Sequence, residues 1–293
     1  MQKTARENRL TSLIRRTIAD IRLLFTAGWF AVRFRRNNKM GDLFRFRRAI
    51  EIGHISPFRR LFTGKKENHT VNLTLPQFGN ALVEFDINDP FQMAICEEFV
   101  KYGLYDLDRL RFVPDCSIDC GAYQGYFTLL IHARFPACKK ICVEPHPVNF
   151  RQLIGTMKRN RVDLNAAYNK ALSSSGAALS LELWGSNMSA TTDKTLPSYI
   201  VEVPSMSLQE VMRGILPTEK TILKMDIEGG ELDFFPGIIP SLPDTCAVFL
   251  ETHDGWNSLP AIRKEFEISG FEFTVIRERT LYIDVFAQRV KKT

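Results

Sequence analysis

The stretch SIDCGAYQGYF, residues 117–127, carries a short apolar run into Asp119 and then into two glycines four apart, Gly121 and Gly125. The segment YFTLLIHARF, which begins at Tyr126, continues as an amphipathic helical pattern. A strand that stops at a glycine turn and feeds a helix is the first unit of a parallel α/β sheet, and such sheets bind ligands beyond the carboxyl ends of their strands. Gly121 permits a sharp turn, and Gly125 lets the helix begin close to a ligand, because neither has a Cβ in the way. The spacing is not the dinucleotide G-x-G-x-x-G, whose first two glycines stand two apart. Nor does Gly-Lys-[Ser/Thr] follow, as a phosphate loop requires.

Working outward, apolar strand candidates recur at 116–119, 140–143, 166–168, 221–225 and 246–250, with helical stretches between several of them. This alternation predicts a mainly parallel sheet covered on both faces. The end differs: FEFTVIRE and LYIDVFAQR, separated only by Arg279 and Thr280, predict a tight antiparallel hairpin. A parallel sheet that closes in such a hairpin is the outline of the Rossmann-like class I methyltransferases. Upstream, HTVNLTLPQFGNALVEFDI predicts two strands joined around Gly79-Asn80, and a helix follows with Asp89 as cap and Pro90 in its first turn. The expected division is a basic arm at 1–66, a hairpin and helix at 67–111, and the ligand-binding domain at 112–293.

Acidic residues at strand ends narrow the ligand. Asp119 would repel a pyrophosphate, but it suits an ammonium group and a sulfonium centre, which points to S-adenosylmethionine. Glu144 ends the second strand in KICVEPHP, 25 residues after Asp119, where a carboxylate can accept both hydroxyls of a ribose. LKMDIEGGE, residues 223–231, ends a later strand in Asp226, with Glu228 and Glu231 close behind. Carboxylates are poor packing choices at a strand terminus unless they serve a site. Glu251 and His253, in FLETHDG, reach the same rim.

Together SIDCGAYQGYFTLL, ICVEPHPVNFRQL, NKALSSSGAALSL, LKMDIEGGELDFFPG and VFLETH resemble the FkbM-type methyltransferases over about residues 112–255. The resemblance implies S-adenosylmethionine as cofactor and O-methylation, often of sugar or polyketide hydroxyls. It also implies that Asp119, Gly121, Gly125 and Glu144 hold the cofactor, with Ala171 and Leu172 near the adenine. Tyr123 stands where the family usually has Asn; it either forfeits a polar contact to the methionine end or replaces it with a hydroxyl contact. For the proton an alcohol must lose, the candidates are Asp226, Glu228, Glu251 and His253, and His253 leads on its ordinary pKa. A lone histidine after a strand is nevertheless more often a packing or loop residue. Asp226, Glu228 and Glu251 also offer oxygen ligands for a hard divalent cation. Their spacing fits no metal motif closely, so no metal site is assigned and metal dependence stays open. Trp184 and Met188 are weaker candidates for lining an acceptor pocket.

Charge is split along the chain. Residues 1–66 hold 17 Lys plus Arg against 4 Asp plus Glu, a net of +13, and the remainder, 22 against 29, is −7. Such an arm is expected to meet an anionic surface through residues 1–60. Its ten-residue charge-free run from Leu23 to Val32 falls short of the about 20 residues a membrane span needs, but suits a surface helix. None of the six cysteines forms a C-x-x-C pair. Cys116 and Cys120 would lie roughly 13 Å apart on a strand, beyond disulfide reach. Buried thiols fit a reducing compartment, so the expected location is cytoplasmic, peripheral on the cytoplasmic face of a membrane. The expected acceptor is a sugar or glycolipid. An RNA methyltransferase is the second reading, though the negative remainder would repel a polyanion. A non-catalytic membrane-docked partner in glycan assembly is the third, against which stand Asp119 and Glu144.

Overall fold

The computed structural model describes residues 70–75, 78–86, 92, 95, 99, 105–174, 176–184, 188–189, 198–228, 231, 237–253, 255–278 and 282–290. The arm at 1–66 and most of the helix expected from Asp89 lie outside these residues, as do the side chains of Trp184 and Met188. The chain divides into two compact units. The first, residues 1–76 and 82–98, holds β1 (Thr70–Leu75) and all but the first residue of β2 (Ala81–Asp86), which pair in a two-stranded sheet as expected.

The second unit holds the rest. Its strands are β3 (Cys116–Cys120), β4 (Lys139–Val143), β5 (Ala166–Tyr168), β6 (Ala171–Leu172), β7 (Leu179–Trp184), β8 (Met188–Ser189), β9 (Ser198–Val203), β10 (Ser205–Met206), β11 (Thr221–Met225), β12 (Cys246–Thr252), β13 (Glu272–Glu278) and β14 (Ile283–Arg289). Among the described residues its α-helices include α1 (Tyr126–Arg134), α2 (Pro147–Arg159), α3 (Leu208–Val211) and α4 (Gly255–Ile268). Seven strands form the main sheet in the order β13-β14-β12-β11-β3-β4-β5. The pairs β12–β11, β11–β3, β3–β4 and β4–β5 are parallel, and β14 is antiparallel to both β12 and β13. This is the class I methyltransferase arrangement that the strand spacing predicts.

Local chemistry explains the element ends. His146 caps α2 by accepting the Val148 N–H on Nδ1 at 3.0 Å, and Pro147, which has no N–H in need of an acceptor, occupies its first turn. Ser207 and Glu210 close a reciprocal capping box on α3. Three details depart from expectation. Helix α1 buries Tyr126, Phe127, Thr128, Leu129 and Ile131, so it is enclosed on most sides rather than amphipathic. The last strand begins at Ile283, so Tyr282 lies outside the strand that the sequence pattern starts at Leu281. The three-stranded sheet β8-β7-β9 was not anticipated; β7 carries Ser180 and Glu182 on alternate positions, and its pairings with β8 and β9 are antiparallel.

Register separates the two faces of the main sheet. Ile118, Leu223, Val248 and Ala287 align on one face, as do Cys120, Met225, Leu250 and Val285. Leu208 and Val211 of α3 and Ile262 and Phe266 of α4 join the same apolar cluster. The other face carries the row Asp119, Lys224, Phe249 and Phe286. One step nearer the carboxyl ends, Glu251 pairs with Asp284. Helix α1 lies over this second face, with Phe127 against Phe249 at 6.2 Å between ring centroids. Among the described residues, Cys116, Cys120, Cys138, Cys142 and Cys246 are buried free thiols.

Among the described glycines the closest approach is at Gly121, in the turn after β3, where φ is +73° and a Cβ would stand 1.7 Å from the Asp226 carbonyl oxygen. Gly121→Ala is therefore expected to lower the unfolding free energy by at least ~2 kcal/mol, combining left-handed strain with a backbone clash. Gly155, within α2, meets only the end of the Arg159 side chain at 3.4 Å. Gly155→Ala is expected to raise stability by about 0.5–1 kcal/mol through helix propensity. Urea unfolding of both variants checks the pair; equal midpoints would contradict the close approach at Gly121.

Candidate active site

The glycine loop is held from two neighbouring strands. Gly121 and Ala122 both donate their N–H to the Val143 carbonyl at 3.0 Å, which ties the loop to the end of β4. Next in line, the Tyr123 N–H donates to Glu144 Oε2 at 2.7 Å, and the His146 N–H donates to Oε1 at 2.8 Å. Glu144 therefore braces the loop against the start of α2. Its two oxygens keep further lone pairs, since an ionised carboxylate accepts at about four positions. Burial pushes the Glu144 carboxyl up to about 7, against the two backbone donors that favour its ionised form. Asn169 fixes the same strand end, donating to the carbonyls of Glu144 at 2.8 Å and Pro145 at 3.0 Å.

Tyr123 sits at φ +50°. Asparagine tolerates that left-handed region far better than tyrosine, so the family's Asn at this position has a backbone reason as well as a polar one. The Tyr123 ring packs edge-on to Tyr126, with 5.9 Å between centroids. Gly125 caps α1 at φ +88° and lies against Leu153 and Met157 of α2.

Asp119 was expected to face the methionine end of the ligand. The structure buries it to 1% exposure beneath the loop. Its Oδ2 accepts from the Thr128 hydroxyl at 2.7 Å, and its Oδ1 stands 3.7 Å from the Lys224 ammonium. Burial raises the Asp119 carboxyl, with Lys224 opposing. Ala171 and Leu172 are also buried, and Leu172 belongs to the apolar cluster.

Asp226, Glu228, Glu231, Glu251 and His253 converge at the ends of β11 and β12. His253 Nε2 lies 3.2 Å from Glu228 Oε2 and 3.3 Å from Glu251 Oε1, while Nδ1 lies 3.2 Å from Glu231 Oε1. Burial alone would drive the proton off this ring. The hydrogen bonds to three glutamates outweigh it and hold His253 far above its ordinary value, as an imidazolium. Both nitrogens then donate, which is the only protonation state that satisfies carboxylates on both sides. Its surroundings thus make His253 a proton holder, where sequence reasoning had it leading the proton acceptors.

The glutamates differ. Burial and the Asp226 charge push Glu251 up to about 8. Burial also raises Glu228, which adopts φ +60°, while the bond to His253 opposes the rise. Glu231 feels the same burial, but His253 and the Ile227 N–H at 3.1 Å hold it below the ordinary carboxylate range. Asp226, Glu231 and His253 each present a ligand atom within 4.8 Å of the others. That set fits a cation only after His253 gives up the proton that its glutamates retain.

Two residues escaped the sequence reading. Tyr105, at φ +64°, places its ring 4.9 Å from Phe127 and 5.6 Å from Phe249, above the charged row. Burial and then Asp226 and Glu251 raise its phenol, so it stays a neutral donor. The sequence pattern places Tyr105 in the helical stretch expected after Asp89, whereas residues 105–110 form a bend and a single 3-10 turn at Leu107–Arg109. Lys224 leads the Lys-x-Asp-x-Glu-Gly-x-Glu block of the family resemblance but is given no role from sequence; its carbonyl partners, Cys120 and Gly121, lie more than a hundred residues earlier.

A family model described as the methyltransferase FkbM domain matches residues 119–273, more than half of the chain. Among similar solved structures is a methyltransferase FkbM from Methylobacillus flagellatus KT, 15% identical with a TM-score of 0.43; the match covers 69% of this chain and 52% of that one. Another is M. jannaschii TYW2 in complex with AdoMet, 11% identical with a TM-score of 0.45, covering 76% and 87%. A third is a precorrin-6y C5,15-methyltransferase from Geobacter metallireducens GS-15, 12% identical with a TM-score of 0.38, covering 62% and 86%. No curated protein matches. On the family match, the chain belongs to the FkbM methyltransferases.

Proposed function

We propose that the protein is an S-adenosylmethionine-dependent O-methyltransferase acting on a hydroxyl of a sugar in a glycan, glycolipid or related small molecule. The observation that carries this reading is the adjacency of a glycine loop braced by Glu144 and a carboxylate cluster containing a near-neutral acid, Glu251. When bound, S-adenosylmethionine supplies a methyl group activated by a sulfonium centre. The loop fits such a molecule through Glu144, which retains acceptor capacity for ribose hydroxyls, while Gly121 and Gly125 let the turn pack closely against the Asp226 carbonyl and against Leu153 and Met157.

The acceptor hydroxyl must shed a proton as its oxygen attacks. Glu251 is the residue placed to take it in its ionised form, a fraction that grows as pH approaches about 8 and in which it is a stronger base than an ordinary glutamate. His253 orients Glu251 and Glu228 together through one Nε2–H. Asp226, one residue beyond the register pair Met225–Leu250, stands beside Glu251 at the same rim. A rim of four carboxylates around one imidazolium favours a neutral polyol over a phosphate-rich strand, which sets RNA second. Among the described residues no helix is long and apolar enough to cross a membrane. The +13 charge at 1–66 supports docking at an anionic membrane on its cytoplasmic face, where lipid-linked saccharides would be within reach.

Three outcomes are expected. Glu251 holds its proton when folded to about 8 but has an ordinary value of 4.5, so between those values the folded state binds more protons. Stability must then fall as pH rises through that window. Glu144, raised to about 7, acts in the same direction. Urea unfolding from about pH 5 to about pH 8.5 should show this decline, with Glu251→Gln flattening it above about pH 7; a wild-type profile that rises would contradict the assignment. Deleting residues 1–60 should abolish co-sedimentation with anionic vesicles while S-adenosylmethionine affinity survives; continued sedimentation would end the membrane-arm proposal. Labelled methyl transferred into a fractionated cell extract should enter saccharide or glycolipid. Label confined to RNA would replace the proposal with the RNA reading, and the absence of any transfer would favour a non-catalytic partner.

A further inference from the structure

Lys224 is 4% exposed and lies in the sheet row Asp119–Lys224–Phe249–Phe286. Confining an ammonium there costs several kcal/mol of lost hydration, and an apolar residue would pack more favourably beside Phe249. The charge therefore needs partners, and the structure supplies one for each of its three N–H groups. Nζ donates to the Gly121 carbonyl at 2.6 Å and to the Cys120 carbonyl at 3.2 Å. The third direction faces Asp226 Oδ2 at 3.4 Å, with Asp119 Oδ1 beyond at 3.7 Å.

We infer that Lys224 is the positioning residue that shapes the methyl-donor loop, clamping the carbonyls of Cys120 and Gly121 while linking the loop to the acidic rim through Asp226. This inference rests on the cofactor reading above. The loop's N–H groups at 121, 122 and 123 go outward to Val143 and Glu144. Its carbonyls at 120 and 121 go the other way, to Lys224. Two consecutive peptide planes are thus fixed from both sides, and the turn is set before any ligand arrives. The Asp226 N–H also donates to the Cys120 carbonyl at 3.2 Å, so the same strand end that carries Asp226 supports the loop twice. Burial opposes the charge on Lys224, but Asp226, Asp119 and Glu251 raise it further than burial lowers it, so the clamp persists across the working pH range. The three carbonyl and carboxylate partners come from β3, its following turn and β11; a residue bonded only within its own strand would have no such reach.

Lys224→Met and Lys224→Gln test the assignment, with wild type as reference and S-adenosylmethionine and S-adenosylhomocysteine as probes. Calorimetry should show at least a tenfold loss of affinity for both probes in Lys224→Met. Lys224→Gln, which keeps donors but not charge, should fall between the two. Hydrogen exchange of the ligand-free proteins should show residues 121–123 exchanging at least tenfold faster, while protection of β11 and β12 is retained. Wild-type affinity in Lys224→Met would overturn the inference, as would protection lost across the whole sheet, which would make Lys224 a packing residue. If Lys224→Met does not fold, the same comparisons in Lys224→Gln decide: loop-limited loss supports the clamp, and wild-type behaviour overturns it. Should the wild type fail to bind either probe, the cofactor reading fails by itself, and loop exchange in the ligand-free variants still decides the role of Lys224.

Discussion

The parallel pairing of β3 with β11 is the constraint on which the rest depends. Its register sets Asp119 beside Lys224 and brings Gly121 against the Asp226 carbonyl. A one-residue slip of β3 would turn Asp119 into the apolar face and set Ile118 or Cys120 beside the Lys224 ammonium, an exchange that burial forbids. The same pairing brings two segments more than a hundred residues apart to one edge, so the glycine loop and the acidic rim lie side by side. Neither half is built by local sequence alone.

The two faces of the sheet divide the labour. One is mainly apolar, closed by α3 and α4, and supplies the burial that holds the domain together. The other accepts charged groups only where each is answered: Asp119 by Thr128 and Lys224, Asp284 by Arg277 at 2.5 Å, and the glutamates by His253. Buried charge of this kind contributes little net stability. Its value lies in geometry, because every partner fixes the direction of another. Glu251 shows the result: burial and the neighbouring Asp226 raise it, while the imidazolium keeps it from becoming an ordinary neutral acid.

Much of this was legible in advance. The strand candidates at 116–119, 140–143, 166–168, 221–225 and 246–250 all correspond to strands of the main sheet, since fully buried parallel strands read as short apolar runs between turn residues. The glycines and the acids at strand ends pointed to the site region, and the motif block pointed to the family that the match at 119–273 shows. Orientation was not legible. Sequence cannot tell that Asp119 turns under the loop, that Glu144 spends one lone pair of each oxygen on backbone N–H groups, or that three glutamates converge on His253. Those facts depend on pairing between distant strands. Strands β7 to β9 were missed because their pattern lacks the continuous apolar run of a buried parallel strand.

The central claim is that the Gly121–Gly125 turn and Glu144 form the methyl-donor site beside the carboxylate rim. A crystal structure with S-adenosylhomocysteine tests it most directly. The account predicts the ribose hydroxyls on Glu144 and the sulfur facing the Asp226–Glu251 rim across the glycine turn. A ligand bound elsewhere on the chain, or one whose ribose leaves Glu144 untouched, would contradict it.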